Sequence, residues 1–165
     1  MRRKIKAKAL SVEAFTPYGS YMSVITPEGY YLQGEYHKFY RDMVRFPVGG
    51  DGSICFSSLV VKKNAELIIK GMEYHDYTDE VQLPVDSDTV LVCAPANGGD
   101  IAIDEAEAFI VPKGTMICLR RGTWHDVMYP LDQEKVSVLI GLPERVYHND
   151  IVVKSFSESE IQVEL

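Results

Sequence analysis

The stretch that decides the fold class is Ala108-Phe109-Ile110-Val111-Pro112-Lys113-Gly114-Thr115-Met116-Ile117-Cys118-Leu119-Arg120. It contains two apolar, β-rich runs on either side of a short turn. Isoleucine, valine, phenylalanine and threonine favour strands, whereas proline and glycine favour turns. The sequence therefore predicts two consecutive strands, Ala108–Val111 and Thr115–Arg120, on either side of the turn Pro112-Lys113-Gly114.

The same succession of short β-rich runs and turn residues fills the rest of the chain. Further strands are predicted at Tyr21–Ile25, Lys38–Phe46, Ile54–Lys62, Glu66–Met72, Thr89–Ala94, Val136–Leu142, Ile151–Lys154 and Ile161–Val163. Turns between them are predicted at 47–52, 84–88, 97–100 and 143–144, where Gly, Pro, Asn and Asp are concentrated. The only predicted helical segment is a short turn, Val12–Phe15, capped by Ser11.

About ten strands without a long helix favour a closed all-β barrel or a sandwich, because closure removes exposed sheet edges. The length of 165 residues is enough for about one domain, so residues 1–165 are predicted to form a single domain. A small barrel has a mouth, and a ligand is expected to bind there.

Charge and hydrophobicity exclude two classes of partner. The chain has 17 Lys and Arg against 24 Asp and Glu, which gives a formal net charge of −7. An acidic protein repels the phosphate backbone of nucleic acids. The longest apolar region, Val136–Leu142, is far shorter than the roughly 18 residues that a membrane-spanning helix needs. We therefore expect neither a nucleic-acid partner nor a membrane partner.

The expected location is the cytoplasm. The basic residues at the start of the chain are not followed by the apolar segment of a signal peptide. The cysteines, Cys55, Cys93 and Cys118, are odd in number, lack Cys-x-x-Cys spacing and lie in apolar, strand-like runs. This pattern favours reduced thiols in the protein core over disulfides, ligands or nucleophiles.

The segment Lys4-Ile5-Lys6-Ala7-Lys8-Ala9 alternates charged and apolar residues with a period of two. One face of such a strand packs on the core and the other carries ammonium groups. Lysines commonly protect the edge of a sheet, so we predict an edge strand here. An edge of this kind can also extend the sheet of a second copy, and for that reason we expect a homodimer.

The densest group of acid, base and ligand side chains lies in Gly71-Met72-Glu73-Tyr74-His75-Asp76-Tyr77-Thr78-Asp79-Glu80. Glu73 and His75 are two residues apart, so in an extended segment their side chains leave the same face. Glu80 is five residues beyond His75, an offset that would point it outward in a continuous strand. The composition of 76–79 is typical of a turn or bulge that resets this phase. The three side chains are therefore predicted to face one cavity.

A second group of candidate residues lies in Arg120-Arg121-Gly122-Thr123-Trp124-His125-Asp126. His125 is predicted to line the pocket. A His at the end of a strand, beside Arg120 and a lone Trp, is a combination that commonly lines a pocket. The single tryptophan, Trp124, is interpreted first as a packing anchor and second as a substrate-binding wall. His37 and His148 lie in loop-like surroundings, and we expect both at the surface.

These motifs resemble those of the cupin superfamily, small β-barrels whose first motif supplies two His and a Glu and whose second contains Pro-x-Gly and another His. The matching residues are Gly71, Glu73-Tyr74-His75 and Glu80, followed by Phe109 through Thr115. Glu73 stands where the first motif begins with His, and Ile117 stands where the second places its His. The resemblance implies an antiparallel jelly-roll barrel without the usual three-His-one-Glu metal centre.

Within the cupins, the sequence resembles the ureidoglycolate lyase family, formerly called ureidoglycolate hydrolases. The matching segments are Leu10-Ser11-Val12-Glu13-Ala14-Phe15-Thr16-Pro17-Tyr18-Gly19, Glu73-Tyr74-His75 through Pro84, and Phe109-Ile110 through Trp124-His125. Three residues depart from the family pattern: Glu80 replaces Gln, Arg120 replaces His, and Asp126 replaces a second His after Trp-His.

The resemblance implies cleavage of ureidoglycolate to glyoxylate and urea, as in allantoin and purine degradation. This reaction needs a base for the hydroxyl proton, an acid for the departing nitrogen and a group that binds the substrate carboxylate. His75 with Glu73 beside it, and His125, are the predicted catalytic residues. Arg120, Glu80 and Trp124 are the predicted substrate-binding residues, and Arg120 is predicted to bind the substrate carboxylate, because its planar guanidinium matches that group and keeps its charge. Which histidine is the acid and which the base stays open at this point.

Two imidazoles and two carboxylates, from Glu73, His75, Glu80 and His125, would also suit a divalent transition metal such as Zn, Ni, Mn or Fe. A metal-free site, with both carboxylates hydrogen-bonded to the histidines, is the alternative. Two other functions remain open: a divergent metal-binding cupin acting on another small carboxylic acid or sugar, and a non-catalytic module that binds a small molecule.

Overall fold

Strands make up most of the regular structure in the computed structural model, which describes residues 2–48, 52–156 and 159–165. The strands are β1 (Arg2–Ala9), β2 (Gly19–Ser23), β3 (Tyr31–Gln33), β4 (Lys38–Tyr40), β5 (Ile54–Lys62), β6 (Ile68–Ile69), β7 (Gly71–Tyr74), β8 (Glu80–Pro84), β9 (Thr89–Ala94), β10 (Glu107–Val111), β11 (Thr115–Leu119), β12 (Trp124–His125), β13 (Tyr129–Pro130), β14 (Lys135–Pro143), β15 (Val152–Ser155) and β16 (Glu160–Glu164). The helical segments are α1 (Val12–Phe15), a 3-10 turn (Ile103–Glu105) and α2 (Val146–Asn149).

The strands form two main sheets and a separate hairpin. The larger sheet has the order β15-β7-β12-β9-β10-β1-β16-β6, with β13 also pairing with β9. The smaller sheet has the order β2-β11-β8-β14-β5, and β3 pairs only with β4 in the described residues. Most neighbouring strands are antiparallel, and helices are short. These features confirm the predicted all-β fold class with at most short helices.

Several strands differ from the prediction, which places β2 two residues too late and lacks β3, β12 and β13. The run predicted at 38–46 forms a strand only as far as Tyr40, and the run at 66–72 is divided by Lys70 into β6 and β7. Strand β8 is absent from the sequence prediction because its buried polar residues, Glu80 and Gln82, interrupt the apolar pattern. The predicted turn at 47–52 lies partly outside the described residues.

The prediction of an edge strand at the start of the chain is wrong. Strand β1 pairs in parallel with β10 on one side and with β16 on the other, so it lies inside the larger sheet. Its basic side chains bind carboxylates of the neighbouring strands: Lys8 lies 2.5 Å from Glu107, and Lys4 lies 2.8 Å from Glu164. Alternating charge therefore indicates pairing with acidic neighbours here, and β1 gives no support to the expected homodimer.

The core that positions the site lies between the two sheets. From the larger sheet it contains side chains such as Leu91, Cys93 and Phe109, and from the smaller sheet Ile117 and Leu119. Helix α1 contributes to the same core, because the ring of Phe15 packs edge-on against Phe109 with 5.2 Å between centroids. A second core covers the outer face of the larger sheet and contains Trp124 and Tyr74.

The predicted burial of the cysteines is correct for two of the three. Cys93 and Cys118 are buried, and burial raises the pKa of both thiols, that of Cys118 to about 11. Cys55 is exposed, because it lies on β5 at the end of the smaller sheet. Throughout the part of the chain that the structure describes, helices are too short and too polar to cross a bilayer.

Candidate active site

Two strands of the larger sheet bring Glu73, His75 and His125 together. His125 on β12 is the direct cross-strand partner of Glu73 on β7, so both side chains leave the same face of the sheet. His75 follows β7 and lies two residues from Glu73, on the same face. The intervening Tyr74 points to the opposite face, where it packs against Trp124. The predicted convergence of these three side chains is present in the structure.

The smaller sheet supplies Glu80. The segment between His75 and Glu80 turns around the carboxylate of Asp150, which accepts hydrogen bonds from the backbone N–H groups of Asp76 and Tyr77 and from the Thr78 hydroxyl. The turn carries the chain from one sheet to the other and resets the strand phase. Glu80 then pairs with Leu119, whose side chain lies in the core between the sheets.

The Glu80 carboxylate lies between the two imidazoles. Its Oε2 atom lies 3.0 Å from His75 Nε2 and 2.9 Å from His125 Nε2. Glu73 Oε1 lies 3.8 Å from His125 Nε2. His75, Glu80 and His125 are buried, and the Glu73 side chain keeps 36% of its surface accessible. Glu73 is therefore the most accessible member of this cluster, which we call the Glu-His tetrad (Glu73, His75, Glu80, His125).

Backbone carbonyls fix the orientation of both rings. His75 Nδ1 lies 2.5 Å from the carbonyl oxygen of Asp150, and His125 Nδ1 lies 3.0 Å from that of Thr123. A carbonyl oxygen only accepts hydrogen bonds, so each Nδ1 carries a proton. Both Nε2 atoms face Glu80 Oε2, which is also an acceptor. Either each Nε2 atom carries a proton or a cation lies beside it, because otherwise the lone pairs of Nε2 and of Glu80 Oε2 would face each other.

The charges within the tetrad raise the pKa values of the histidines and lower the pKa of Glu80. Burial alone would lower the pKa of His125, but the charge of Glu80 and its hydrogen bond outweigh burial and raise that pKa to about 9. The pKa of His75 is raised in the same way. Burial would raise the pKa of Glu80, but the two histidines hold it well below its usual value. Burial raises the pKa of Glu73, in spite of the opposing charge of His125.

The tetrad has a suitable set of donors for a divalent transition metal. One donor atom from each of the four residues lies within 4.8 Å of every other. Two imidazole nitrogens and two carboxylate oxygens suit Mn, Fe, Ni or Zn, and the carbonyl bonds at both Nδ1 atoms are the outer contacts typical of metal-binding histidines. A divalent cation with two neutral imidazoles carries the same charge as two imidazolium ions, so it balances the two carboxylates equally well.

A cavity of about 290 Å³ opens beside the tetrad, between the two sheets. Glu73, His75 and Glu80 form part of its wall, together with Gln82 and Asp126. The rest of the lining comes from β5, β14, the residue after Asp126 and the segment around α2: Ser57, Ser58, Leu59, Ile140, Leu142, Val127, Tyr147 and Ile151. The space is large enough for a molecule of several carbon and nitrogen atoms, as is typical of small-ligand sites.

Arg120 is not brought to this cavity. It follows Leu119, whose side chain enters the core, so alternation along the chain turns Arg120 to the other side. Its side chain is exposed, and Nη1 donates a hydrogen bond of 3.1 Å to the carbonyl oxygen of Pro17. This position gives no support to the prediction that Arg120 binds a substrate carboxylate.

Trp124 is also outside the cavity. It is fully buried in the second core, with its ring 4.4 Å from that of Tyr74. Its Nε1–H donates a hydrogen bond of 2.8 Å to the carbonyl oxygen of Asp100. Of the two interpretations of Trp124, this geometry supports the packing anchor and not the substrate-binding wall. His37 and His148 are exposed, as expected.

Sequence reasoning missed several polar residues of the cavity, Gln82 and Asp126 among them. Gln82 lies two residues beyond Glu80 on β8, so alternation alone places it on the same face. Residue spacing therefore identifies Gln82 as a cavity residue, provided that β8 is first recognised as a strand. Asp126 was noted only as a departure from the family pattern; it lies in the cavity wall, and burial raises its pKa. Its Oδ2 atom accepts a hydrogen bond of 2.8 Å from the Tyr129 hydroxyl.

Comparison with known proteins identifies relatives over nearly the whole chain. The sequence model of the family described as ureidoglycolate lyase matches residues 2–164. The ureidoglycolate lyase of Chelativorans sp. (strain BNC1) is 25% identical over 142 residues, 84% of each chain. That of Mesorhizobium japonicum is 26% identical over 139 residues, 83% of this chain and 85% of the relative.

One solved structure that matches this chain is that of dTDP-6-deoxy-D-glucose-3,5-epimerase RmlC from Legionella pneumophila, in complex with dTDP-4-keto-L-rhamnose. Its TM-score is 0.48 at 11% identity, over 88% of this chain and 87% of the epimerase. The assignment of the family rests instead on the match over residues 2–164. On that match, the chain belongs to the ureidoglycolate lyase family.

Proposed function

We propose that this protein is a lyase that cleaves ureidoglycolate into glyoxylate and urea. Membership of the family supports the reaction class. The observation that carries the proposal within this chain is the buried Glu80 carboxylate between two imidazoles, next to a cavity that Glu73 and His75 also line. This arrangement provides both a proton donor and a proton acceptor at one wall.

The reaction breaks the bond between the carbinol carbon and the ureido nitrogen. The hydroxyl proton must leave as the C=O double bond of glyoxylate forms, and the departing nitrogen must receive a proton to become urea. Glu73 is the better candidate for the base, because it is the more accessible carboxylate and its raised pKa makes it more basic. His75 is the candidate for the acid, because the charge of Glu80 raises its pKa and favours its protonated form.

His125 acts through Glu80 in this proposal. It is 2% exposed and contacts the same oxygen as His75, so it holds the carboxylate that in turn favours the charged form of His75. This makes His125 a positioning residue, in place of the proton-transfer role predicted from the sequence. The lining of the cavity includes no Lys or Arg among the described residues. The substrate carboxylate is therefore assigned to the hydroxyl of Ser57, which lies two residues before the core residue Leu59 and so faces the cavity.

A metal-dependent reaction is the second candidate, and the donor set of the tetrad favours it. Glu73, His75, Glu80 and His125 would hold a divalent cation, which when bound would polarise an oxygen of the substrate. Such a protein could act on ureidoglycolate or, as a divergent cupin, on another small carboxylic acid or sugar. Metal analysis of the purified protein tests this: a stoichiometric metal that is lost in the Glu73→Ala/His75→Ala double variant supports it, and absence of metal from the native protein opposes it.

The proposed lyase activity is tested by glyoxylate release from each enantiomer of ureidoglycolate. Replacing His75 by Ala removes the proton donor, and we expect kcat to fall by about 10²-fold or more. His148→Ala is the matched control, since His148 is exposed and outside the cavity; its activity should equal that of the native protein. No release from either enantiomer at high protein concentration would contradict the proposal. A tight complex with unaltered ureidoglycolate would instead favour a binding module.

A further inference from the structure

Gln82 presents a buried hydrogen-bond acceptor that has no partner. The residue is 3% exposed and lies in the wall of the cavity beside the tetrad. Its Oε1 atom is buried and receives no hydrogen bond within the described residues. Buried polar atoms in proteins are nearly always paired, so an orphan acceptor at a cavity wall requires an explanation.

The orientation of the Gln82 amide follows from its neighbour. Its Nε2 atom lies 3.0 Å from Oε1 of Glu80. The other oxygen of Glu80 faces both imidazoles, so its Oε1 atom is the acceptor left for the Gln82 amide. The amide nitrogen of Gln82 must therefore face Glu80, and a flip of the amide would bring two acceptors together. The tetrad thus fixes Oε1 as the free group.

An oriented acceptor without a partner selects a ligand that carries an N–H or O–H donor, and a small shift of the Gln82 side chain brings the covered Oε1 atom to that ligand. Carboxylates Glu73 and Asp126 also line the cavity, so a cationic or donor-rich group is favoured there over a second anion. Ureidoglycolate has such a group at one end, a terminal –CO–NH₂ whose two N–H bonds need acceptors. Leaving Oε1 unpaired penalises any analogue without the donor, which makes the contact selective.

We propose that Gln82 is a specificity-determining residue whose Oε1 atom accepts a hydrogen bond from the terminal N–H₂ of the ureido group. This inference rests on the proposed function, and it names the ureido end as the part of the substrate that Gln82 on β8 recognises. The Glu80 carboxylate positions the Gln82 amide, so one carboxylate serves both the imidazoles and the recognition of the ureido end.

Two unreactive acids test the inference. N-carbamoylglycine has the ureido group and the carboxylate of ureidoglycolate but lacks the hydroxyl, so it cannot be cleaved. N-acetylglycine differs from it only by a methyl group in place of the terminal NH₂. Calorimetry should give a dissociation constant for N-carbamoylglycine at least about tenfold below that for N-acetylglycine in the native protein.

The variant Gln82→Met keeps a similar side-chain volume and removes the acceptor. We expect the ratio of the two dissociation constants to fall to about one. The control, Gln133→Met, changes an exposed glutamine outside the cavity and should keep the native ratio. An unchanged ratio in Gln82→Met, no preference in the native protein, or no binding of either acid would each overturn the inference.

A measurement on the native protein covers the case in which Gln82→Met does not fold. A hydrogen bond to Oε1 should shift the ¹³Cδ resonance of Gln82 with N-carbamoylglycine and leave it in place with N-acetylglycine. Equal shifts with both acids would overturn the inference. Glyoxylate release is measured separately: its failure with the preference for N-carbamoylglycine intact rejects the lyase reaction alone, whereas release without a Gln82-dependent preference rejects the subsite alone.

Discussion

Replacing Glu80 by Gln tests the electrostatic account of the tetrad in the metal-free protein. The substitution keeps the size of the side chain but removes the charge that lies 2.9 Å from His125 Nε2 and 3.0 Å from His75 Nε2. Burial then acts on His125 with the Thr123 carbonyl and the more distant Glu73 opposing it. We expect the pKa of His125 to fall from about 9 to below its ordinary value of about 6.5.

The magnitude follows from the pKa of His125. A shift from about 6.5 to about 9 corresponds to about 3 kcal/mol of stabilisation, at 1.36 kcal/mol for each pKa unit. Because the pKa is raised in the folded protein, this stabilisation is complete below about pH 6.5 and is lost as the pH rises through about 9. The lowered pKa of Glu80 acts in the opposite sense: its contribution is present above about pH 4.5 and is lost as the pH falls. The pair is therefore most stabilising near pH 5 to 6.5.

Urea denaturation followed by fluorescence measures this contribution, because Trp124 is the single tryptophan and is buried in the second core. The difference in unfolding free energy between the native protein and Glu80→Gln should shrink by about 3 kcal/mol between pH 6 and pH 9.5. Glu28→Gln is the matched control, since Glu28 is exposed and should show a difference near zero at every pH.

Nuclear magnetic resonance titration of the imidazoles reports the pKa directly. A His125 that titrates near pH 6.5 in the metal-free native protein would refute the reasoning. So would a stability difference between the native protein and Glu80→Gln that is the same at pH 6 and pH 9.5. Either result would mean that the histidines are neutral and that the tetrad is held together without the ion pairs described above.

Three further predictions follow from other parts of the structure. Mn²⁺ or Zn²⁺ should raise the Tm of the chelator-treated native protein but not that of Glu73→Ala/His75→Ala, because ligand binding to the folded state stabilises it; equal melting curves for both proteins would contradict a metal site. Strand β5 ends the smaller sheet and exposes 67% of Phe56, so light scattering should give about twice 18.6 kDa, and Phe56→Glu should give a monomer; a native monomer would exclude pairing through β5. Trp124→Ala should lower the unfolding free energy by about 3 to 5 kcal/mol in chemical denaturation followed by circular dichroism, since it removes a fully buried side chain; a loss below about 1 kcal/mol would show that Trp124 is not a packing anchor.

Local patterns in the sequence were enough for the fold class and for part of the site. Alternation with a period of two placed Glu73 and His75 on one face, and the polar segment after His75 indicated the turn that redirects Glu80. These features depend on neighbouring residues, whose relative direction is fixed by the geometry of an extended chain. The family resemblance was likewise carried by short motifs in a fixed order.

Other features depend on which strands pair, and no local pattern contains that information. The alternating lysines of β1 predicted an edge, but pairing with β10 and β16 placed the strand inside the sheet. Arg120 looked like a carboxylate clamp until the position of Leu119 in the core showed which side it faces. In both cases the charged residue types were compatible with two environments, and long-range contacts selected one.

The sequence by itself determined that short strands fold into an all-β domain with Glu73 and His75 on a common face, because side-chain direction alternates with every residue of a strand. Only the tertiary structure decided that Glu80 bridges two imidazoles and that Gln82 is left with a free acceptor. The contact of Glu80 with the two imidazoles joins strands of two different sheets. Hydrogen-bond partners on different sheets are set by register and packing, which sequence spacing does not encode.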